Sequence, residues 1–402
     1  MTDVRAVFGP LFDEIRRGAA ARDVSREHPF EEMRALAAAG FGALRLPVDR
    51  GGHGATLPEL FDALVELAAA DSNMPQALRQ HFFRVELILL SPDSPERDAW
   101  LGRIAGGDLF GNATSETAEV PIGSFNTVLR AEGDAFRLSG RKFYSTGNLF
   151  AQWIPVSAVD EEGNAIVVIV PADREGVDLA DDWPGFGQRL TASGTTTFTD
   201  VRVEETEVQR FGNPTTHHGL GFHQLVLLAT LAGIAKGAAD DLVEQVAART
   251  RVFSAGSGDL PRFDPIVQEA VGRALAAAYT ARALIRSAAT ELERAWNGWA
   301  DPAADQEEVS RAFAAADIAV STAQVALVPL VLEQTSHIFD SLGASATATS
   351  SALDRHWRNA RTVSSHNPWI YKARQIGDYA LNGTLPPIFV AGADVGAAPA
   401  AG

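Results

Sequence analysis

The 402-residue chain contains no cysteine. That excludes disulfides, thiolate metal sites and a cysteine nucleophile, and it agrees with a reducing cytoplasm. Excess positive charge is also lacking. The formal charge is −17 and the isoelectric point is near 5.0, which argues against a nucleic-acid backbone as partner. The longest strongly apolar run, Leu225 to Ala235, falls short of the roughly 20 residues that cross a bilayer, so no membrane association is expected. The start, MTDVRAVFGPLFDEIRRG, has no basic stretch leading into an apolar core, so no signal peptide is expected. Nucleotide-binding GxGxxG, P-loop, HExxH and GxSxG patterns are all missing. His217 and His218 are adjacent and would point in different directions on a helix, so no metal site is expected. No segment repeats, which excludes a solenoid.

Apolar residues make up 46% of the chain, enough for a large core. Three regimes follow one another. Residues 1–106 read as helices: FGPLFDEIRRGAA, FEEMRALAAAG, LPELFDALVELAAAD and QALRQHFFRVELILL carry apolar side chains at i, i+3, i+4 and i+7. Residues 107–214 switch to short alternating runs such as FNTVLRAEG, AFRLSG, AIVVIVPA and TTTFTDVRV, which predict strands, with turns at EGDAF and DEEGNA. Residues 215–391 return to long Ala-rich helices, one of them opened by Asp264-Pro265, an N-cap with proline at the first turn. Helices of that length with broad apolar faces pack as a bundle, and the surplus face predicts pairing of bundles between subunits. The tail 392–402 is low-complexity and expected to be disordered. The fold class is α+β, mostly α.

One stretch concentrates candidate chemistry: DRHWRNARTVSSHNPWIYK, residues 354–372. Arg355, Arg358 and Arg361 recur every third residue and fall on roughly one side of a helix. Pro368 ends or bends that helix, because the residue before a proline is pushed out of helical geometry. His366 therefore sits at a break, where its side chain can be aimed into a cavity. A plain turn histidine fits the same letters.

The helix–strand–helix order and the motifs within it resemble the acyl-CoA dehydrogenase superfamily. The segments that carry the resemblance are GNATSETAEVPIGS, RLSGRKFYSTG, GFGQRLTASGTTTFTDVRV and ARTRVF. The resemblance implies an N-terminal helical domain, a middle β-barrel or sandwich and a C-terminal four-helix bundle. The catalytic base of the dehydrogenases departs from the pattern. Their glutamate would fall in the turn that here reads SHNP, at His366, or in the first bundle helix within GFHQLVLLA, at His223. Abstraction of a weakly acidic C–H needs a base at a fixed position, and neither place offers a carboxylate. The terminal DRHWRNARTVSSHNP and IGDYALNGTLPP, with RTRVFSAGSGD before the bundle, resemble instead the two-component flavin-dependent monooxygenases of this superfamily, the dibenzothiophene-oxidising enzymes in particular.

That branch implies reduced FMN, O2 and a C4a-hydroperoxyflavin that oxygenates a small apolar substrate, with sulfur oxidation first and N-hydroxylation second. It also implies a separate NAD(P)H:flavin reductase as partner, a homotetramer and a cytoplasmic location. FAD is the alternative flavin. It is disfavoured because the glycine-rich diphosphate turn of the dehydrogenases reads DSLGASATATSS here, keeping only Gly343. An FAD-dependent acyl-CoA dehydrogenase with an unusual base and a non-catalytic ligand-binding homologue are the alternative functions. By motif position, His366 and His81 would be flavin-pocket histidines able to hold or give a proton near pH 6.5. Ser145 would reach flavin N5, Asn112 would touch the flavin or substrate side, and Trp183 and Ser193 would line the ring. Arg251 would meet the phosphate. The plain alternatives are a core histidine for His81, a turn serine for Ser145, a loop cap for Asn112, a core tryptophan for Trp183 and a surface arginine for Arg251. The Gly, Ser and Pro content of VFSAGSGDLPR, residues 252–262, suggests a mobile loop.

Overall fold

The structure is a computed structural model that describes residues 4–116, 125–210, 217–301 and 303–386. Six helices come first: α1 Val4–Ser25, α2 Phe30–Ala38, α3 Leu57–Ala70, α4 Asn73–Ala77, α5 Arg79–Leu90 and α6 Pro95–Ala105. Local chemistry fixes their ends. Thr56 caps α3 through a reciprocal bond with Glu59, and Ser94 caps α6 ahead of Pro95. Both serve backbone N–H groups that would otherwise lack partners.

Seven strands follow: β1 Val128–Glu132, β2 Ala135–Lys142, β3 Trp153–Val159, β4 Ala165–Pro171, β5 Val177–Leu179, β6 Thr196–Val203 and β7 Val208–Arg210. They form one sheet in the order β5-β6-β2-β1-β3-β4-β7. All neighbours are antiparallel except β1 and β3. The turns expected at EGDAF and DEEGNA join β1 to β2 and β3 to β4, each with a glycine at positive φ, Gly133 and Gly163. Leu138, Ile154, Val156, Val168, Phe198 and Val201 share one buried cluster, as alternation in half-buried strands requires.

The chain then forms α7 His217–Ala248, α8 Pro265–Ala300 and α9 Gln306–His337, crossed by α10 Asp354–Ser364 and α11 Lys372–Asn382. Asp264 accepts from the Ile266 N–H at the start of α8, as the Asp-Pro pair predicts. The large core joins α1, α3 and α5 to α7, α8 and α9. The first helices therefore share a core with the bundle rather than closing on themselves. By length and composition α9 could cross a membrane, contrary to the expectation from apolar runs. Half of its apolar window is buried inside the protein, and Asp317 and Gln324 are on its buried side. The low-complexity tail 392–402 lies outside the described residues.

Candidate active site

Four of the expected site positions are brought close together. The turn after β2 is the hub. Ser145 donates its backbone N–H to the Gly194 carbonyl at 3.0 Å, while Thr146 and Ser193 share a hydroxyl bond of 2.8 Å. Gly147 has φ +86° and lies over the Ala77 carbonyl, which a Cβ would meet at 2.4 Å. Only glycine allows the turn to press against α4 in this way. Asn148 accepts from the Asn112 N–H at 2.6 Å and donates to Thr196 at 2.9 Å. Asn112, Ser145 and Ser193 thus share one hydrogen-bonded frame. Trp183 stands beside it, edge-on to Tyr144 at 5.9 Å, with its indole N–H donated to the Gly187 carbonyl.

Within this frame the Ser145 hydroxyl is buried and has no hydrogen-bond partner among the described residues. A hydroxyl in that state costs free energy unless a ligand completes it. Frame and hydroxyl together suit the polar edge of a planar heteroaromatic ring, with the Tyr144 and Trp183 rings beside it.

His366 follows α10 and precedes Pro368, at the break the sequence predicts. Its Nδ1 lies 3.3 Å from the Asn367 amide oxygen, and Asn367 donates to Gln224 on α7 at 2.7 Å. The ring is accessible to solvent at one side, with protein packed around the rest. The positive charge of Arg79 and then burial hold its pKa well below the ordinary imidazole value. The expectation of titration near pH 6.5 is thereby corrected: His366 is neutral at pH 7.

His81 departs further from expectation. Its ring is fully buried, with Nε2 bonded to the Gly42 carbonyl at 2.9 Å and Nδ1 accepting from the Phe110 N–H at 3.3 Å. Burial lowers its pKa to about 4. Both nitrogens are committed to backbone, so His81 ties α5 to two chain segments and has no free atom with which to move a proton.

Arg251 is exposed in the loop after α7. His223, near the start of that helix, is separated from Ala248 at its end by about 38 Å of helix axis. Arg251 and residues 252–262 therefore lie away from their own chain's Ser145 and His366. The His217 and His218 side chains lie outside the described residues.

Several further residues join this neighbourhood through α5. Gln80 donates to Asn112 at 2.8 Å, and its oxygen meets Nε2 of His223. The His223 ring lies 3.9 Å from that of Phe83. Arg79, one turn before Phe83, is buried and carries an unpartnered Nε. In the sequence these residues read as ordinary members of an amphipathic helix; the only signal is two polar residues, Arg79 and Gln80, before the aromatic pair of QHFF.

Comparison with known proteins agrees with this arrangement. Residues 225–369 match the family model for the acyl-CoA dehydrogenase C-terminal domain. The chain is 29% identical over 388 residues to the probable FMNH2-dependent monooxygenase SfnC of Pseudomonas putida, covering 95% of each. It is 29% identical over 402 residues to a dibenzothiophene monooxygenase of Rhodococcus qingshengii, covering 96% of this chain and 94% of the relative. The solved structure of methanesulfinate monooxygenase MsuC from Pseudomonas fluorescens superposes with a TM-score of 0.84 at 31% identity, over 97% of this chain and 99% of that one. With the helix–sheet–bundle fold, the serine-centred frame and histidines where the dehydrogenases hold a carboxylate, the chain belongs to the acyl-CoA dehydrogenase superfamily, in its branch of flavin-dependent monooxygenases.

Proposed function

We propose that this protein is the oxygenase component of a two-component system, using reduced FMN and O2 to oxygenate the sulfur of a small organic substrate. The observation that carries the reading is the buried Ser145 hydroxyl, which has no hydrogen-bond partner among the described residues. When bound, reduced FMN supplies the two electrons that activate oxygen, one atom of which goes to substrate and the other to water. Ser145 and the Asn112–Asn148–Ser193 frame would hold the ring, with Trp183 closing one side. Gly343 is the sole glycine of residues 340–351, which favours FMN over FAD.

His366 has a defined proton role. Asn367 Oδ1 beside Nδ1 favours the tautomer with the proton on Nδ1, which leaves Nε2 as an acceptor. A neutral imidazole of this kind accepts a hydrogen bond at Nε2, and Asn367, anchored to Gln224, fixes the ring orientation. Neither the His366 nor the His223 position offers the carboxylate that the dehydrogenases use as base, which favours the oxygenase reading over the acyl-CoA one.

The assembly reading is a homotetramer with paired bundles, in the cytoplasm, served by a separate NAD(P)H:flavin reductase. Tyr279 and Ile266 on α8 are 79% and 77% exposed. An open apolar groove of about 350 Å³ lies between α7 and α8, lined by Val243, Val246, Val271 and Leu275. Such a surface favours burial against another copy. Arg251, remote from its own pocket, would then serve the flavin phosphate of a neighbouring copy.

Rapid mixing of protein loaded with reduced FMN against oxygenated buffer tests the oxygenase reading. The expected result is reoxidation in more than one phase, slower than for free FMN and altered by His366→Ala. A single phase at the free-solution rate would sink it.

A further inference from the structure

Arg79 has no counterpart elsewhere in the fold. Four arginines are buried: Arg22, Arg45, Arg79 and Arg84. Arg22 is paired with Glu32 and Asp71, and Arg45 with both oxygens of Glu86. Arg84 donates to the Gln209 amide at 3.1 Å. Arg79 makes no hydrogen bond or ion pair among the described residues, and its Nε is buried and unpartnered. An unpaired ion in the interior is costly. Nothing among the described residues offsets that cost, and a bound anion would.

Position narrows what that is. Arg79 opens α5, where the helix dipole also favours negative charge. Its neighbour Gln80 turns to Asn112 and the serine-centred frame. Arg79 itself lies within electrostatic reach of His366, whose protonation its charge opposes more strongly than any other group does. Consecutive residues of a helix point about 100° apart, so α5 presents an amide to the flavin frame and a cation to the histidine wall. One turn on, Phe83 and the ring of His223 form an apolar flank.

We propose that Arg79 is the anion subsite of the substrate pocket, and that the substrate is a small organic acid whose sulfinate, sulfonate or carboxylate group pairs with its guanidinium while an apolar remainder lies against Phe83. This replaces the apolar substrate expected from the sequence, and it rests on the monooxygenase reading. The guanidinium fork matches such a head group in geometry, with two parallel N–H donors for two oxygens.

The test is equilibrium binding to the FMN-loaded protein by calorimetry. The probes are methanesulfinate and benzenesulfinate, with dimethyl sulfone and methyl phenyl sulfone as neutral partners. Wild type, Arg79→Met and Arg79→Lys are compared, and the Kd for FMN is measured separately, oxidised and, without oxygen, reduced. Wild type is expected to bind at least one sulfinate about 10-fold or more tighter than its neutral partner. Arg79→Met should lose about 100-fold for the sulfinate and leave the sulfone within about 3-fold, with Arg79→Lys between them. The FMN constants should stay within about 2-fold. The proposal is overturned if neither sulfinate binds wild type at millimolar concentration, or if Arg79→Met keeps its sulfinate affinity. It is equally overturned if the variant loses reduced FMN by the same factor, which would assign the charge to the flavin. Arg79-dependent sulfinate binding in a protein that shows no oxygenation would instead retain the subsite and remove the monooxygenase reading.

Discussion

Two arginine–histidine pairs lie in this molecule, and only one of them encloses a carboxylate. At the junction of α1, α7 and α10, Asp241 accepts from Arg355 at 2.6 Å, His356 at 2.8 Å and Arg16 at 3.1 Å. Every charge there has an opposite charge in contact, and despite burial those partners hold Asp241 below the usual carboxylate range. At the other pair, Arg79 lies within electrostatic reach of His366, and no acid among the described residues pairs with it. The first cluster joins helices that are far apart in sequence. The second leaves a positive charge unanswered and a histidine neutral. The same two residue types therefore serve architecture in one place and recognition in the other, and the difference is one aspartate.

Removing that aspartate gives the largest expected effect. Asp241→Asn keeps the shape but leaves Arg16, Arg355 and His356 around a neutral amide. Breaking a buried ion cluster from one side costs about 3–5 kcal/mol, read as a lower urea midpoint with unchanged m. The pH dependence follows from the sign of the shift. Asp241 has a depressed folded value, so its contribution is present above the unfolded aspartate value near 3.9 and is lost as pH falls through the folded value. An Asp241→Asn variant as stable as wild type at pH 7 would break the comparison at its architectural end.

Histidine linkage is next in size. His81 has a folded value of about 4 against an ordinary 6.5. Below pH 6.5 the unfolded chain binds a proton that the folded chain refuses, so stability is lost as pH falls from 6.5 towards 4. The loss approaches about 3 kcal/mol for this group. His356 and His366 are lowered too and add to the slope. His81→Leu should remove its own share of that slope while lowering stability at pH 7, where the Phe110 N–H loses its acceptor. An unchanged slope would mean that His81 is not the backbone tie described above.

How much of this could be read from the sequence differs between fold and site. Helical spacing in LPELFDALVELAAAD, the Asp264-Pro265 start and the turn glycines act over a few residues, so α3, α8 and the β1–β2 and β3–β4 connections are all legible locally. Ser145, Asn112 and Ser193 could be nominated by motif, because a turn and its flanking strands carry them as a unit. Arg79 could not. An arginine in QALRQHFFRVELILL is normally solvated, and only the packing of α7 against α5 decides that this one is buried without a carboxylate among the described residues. His81 was opaque for the same reason: its partners, Gly42 and Phe110, are backbone atoms about 30–40 positions away, and backbone partners leave no mark in side-chain spelling. For Arg251 the motif could not say whose pocket it serves, because a motif has no length scale, whereas a 32-residue helix does.

A change at the recognition end should have the opposite sign from Asp241→Asn. Arg79→Met removes an unpaired buried charge and keeps the stem volume, so stability in the absence of ligand should rise by about 1–2 kcal/mol. With the cation gone, protonating His366 becomes easier, and its pKa should move up towards 6.5, measurable from the ring resonances in a pH titration. A destabilised Arg79→Met with an unmoved His366 would mean that the arginine is answered inside the protein after all.

The smallest effect tests the flavin side of the same pocket. Ser145→Ala removes a hydroxyl that no group among the described residues uses, so the unfolding stability should stay within about 0.5 kcal/mol of wild type. Affinity for FMN should fall by about 1 kcal/mol, or roughly 5-fold, the usual worth of one neutral hydrogen bond. Arg79→Met should leave that affinity alone, and Ser145→Ala should leave sulfinate binding to the FMN-loaded protein alone. The two substitutions thus divide the pocket into a flavin side and an anion side. If each variant disturbed both ligands equally, the pocket would be one coupled polar cluster, and the orphaned hydroxyl and the orphaned guanidinium would have to be explained by a single ligand touching both.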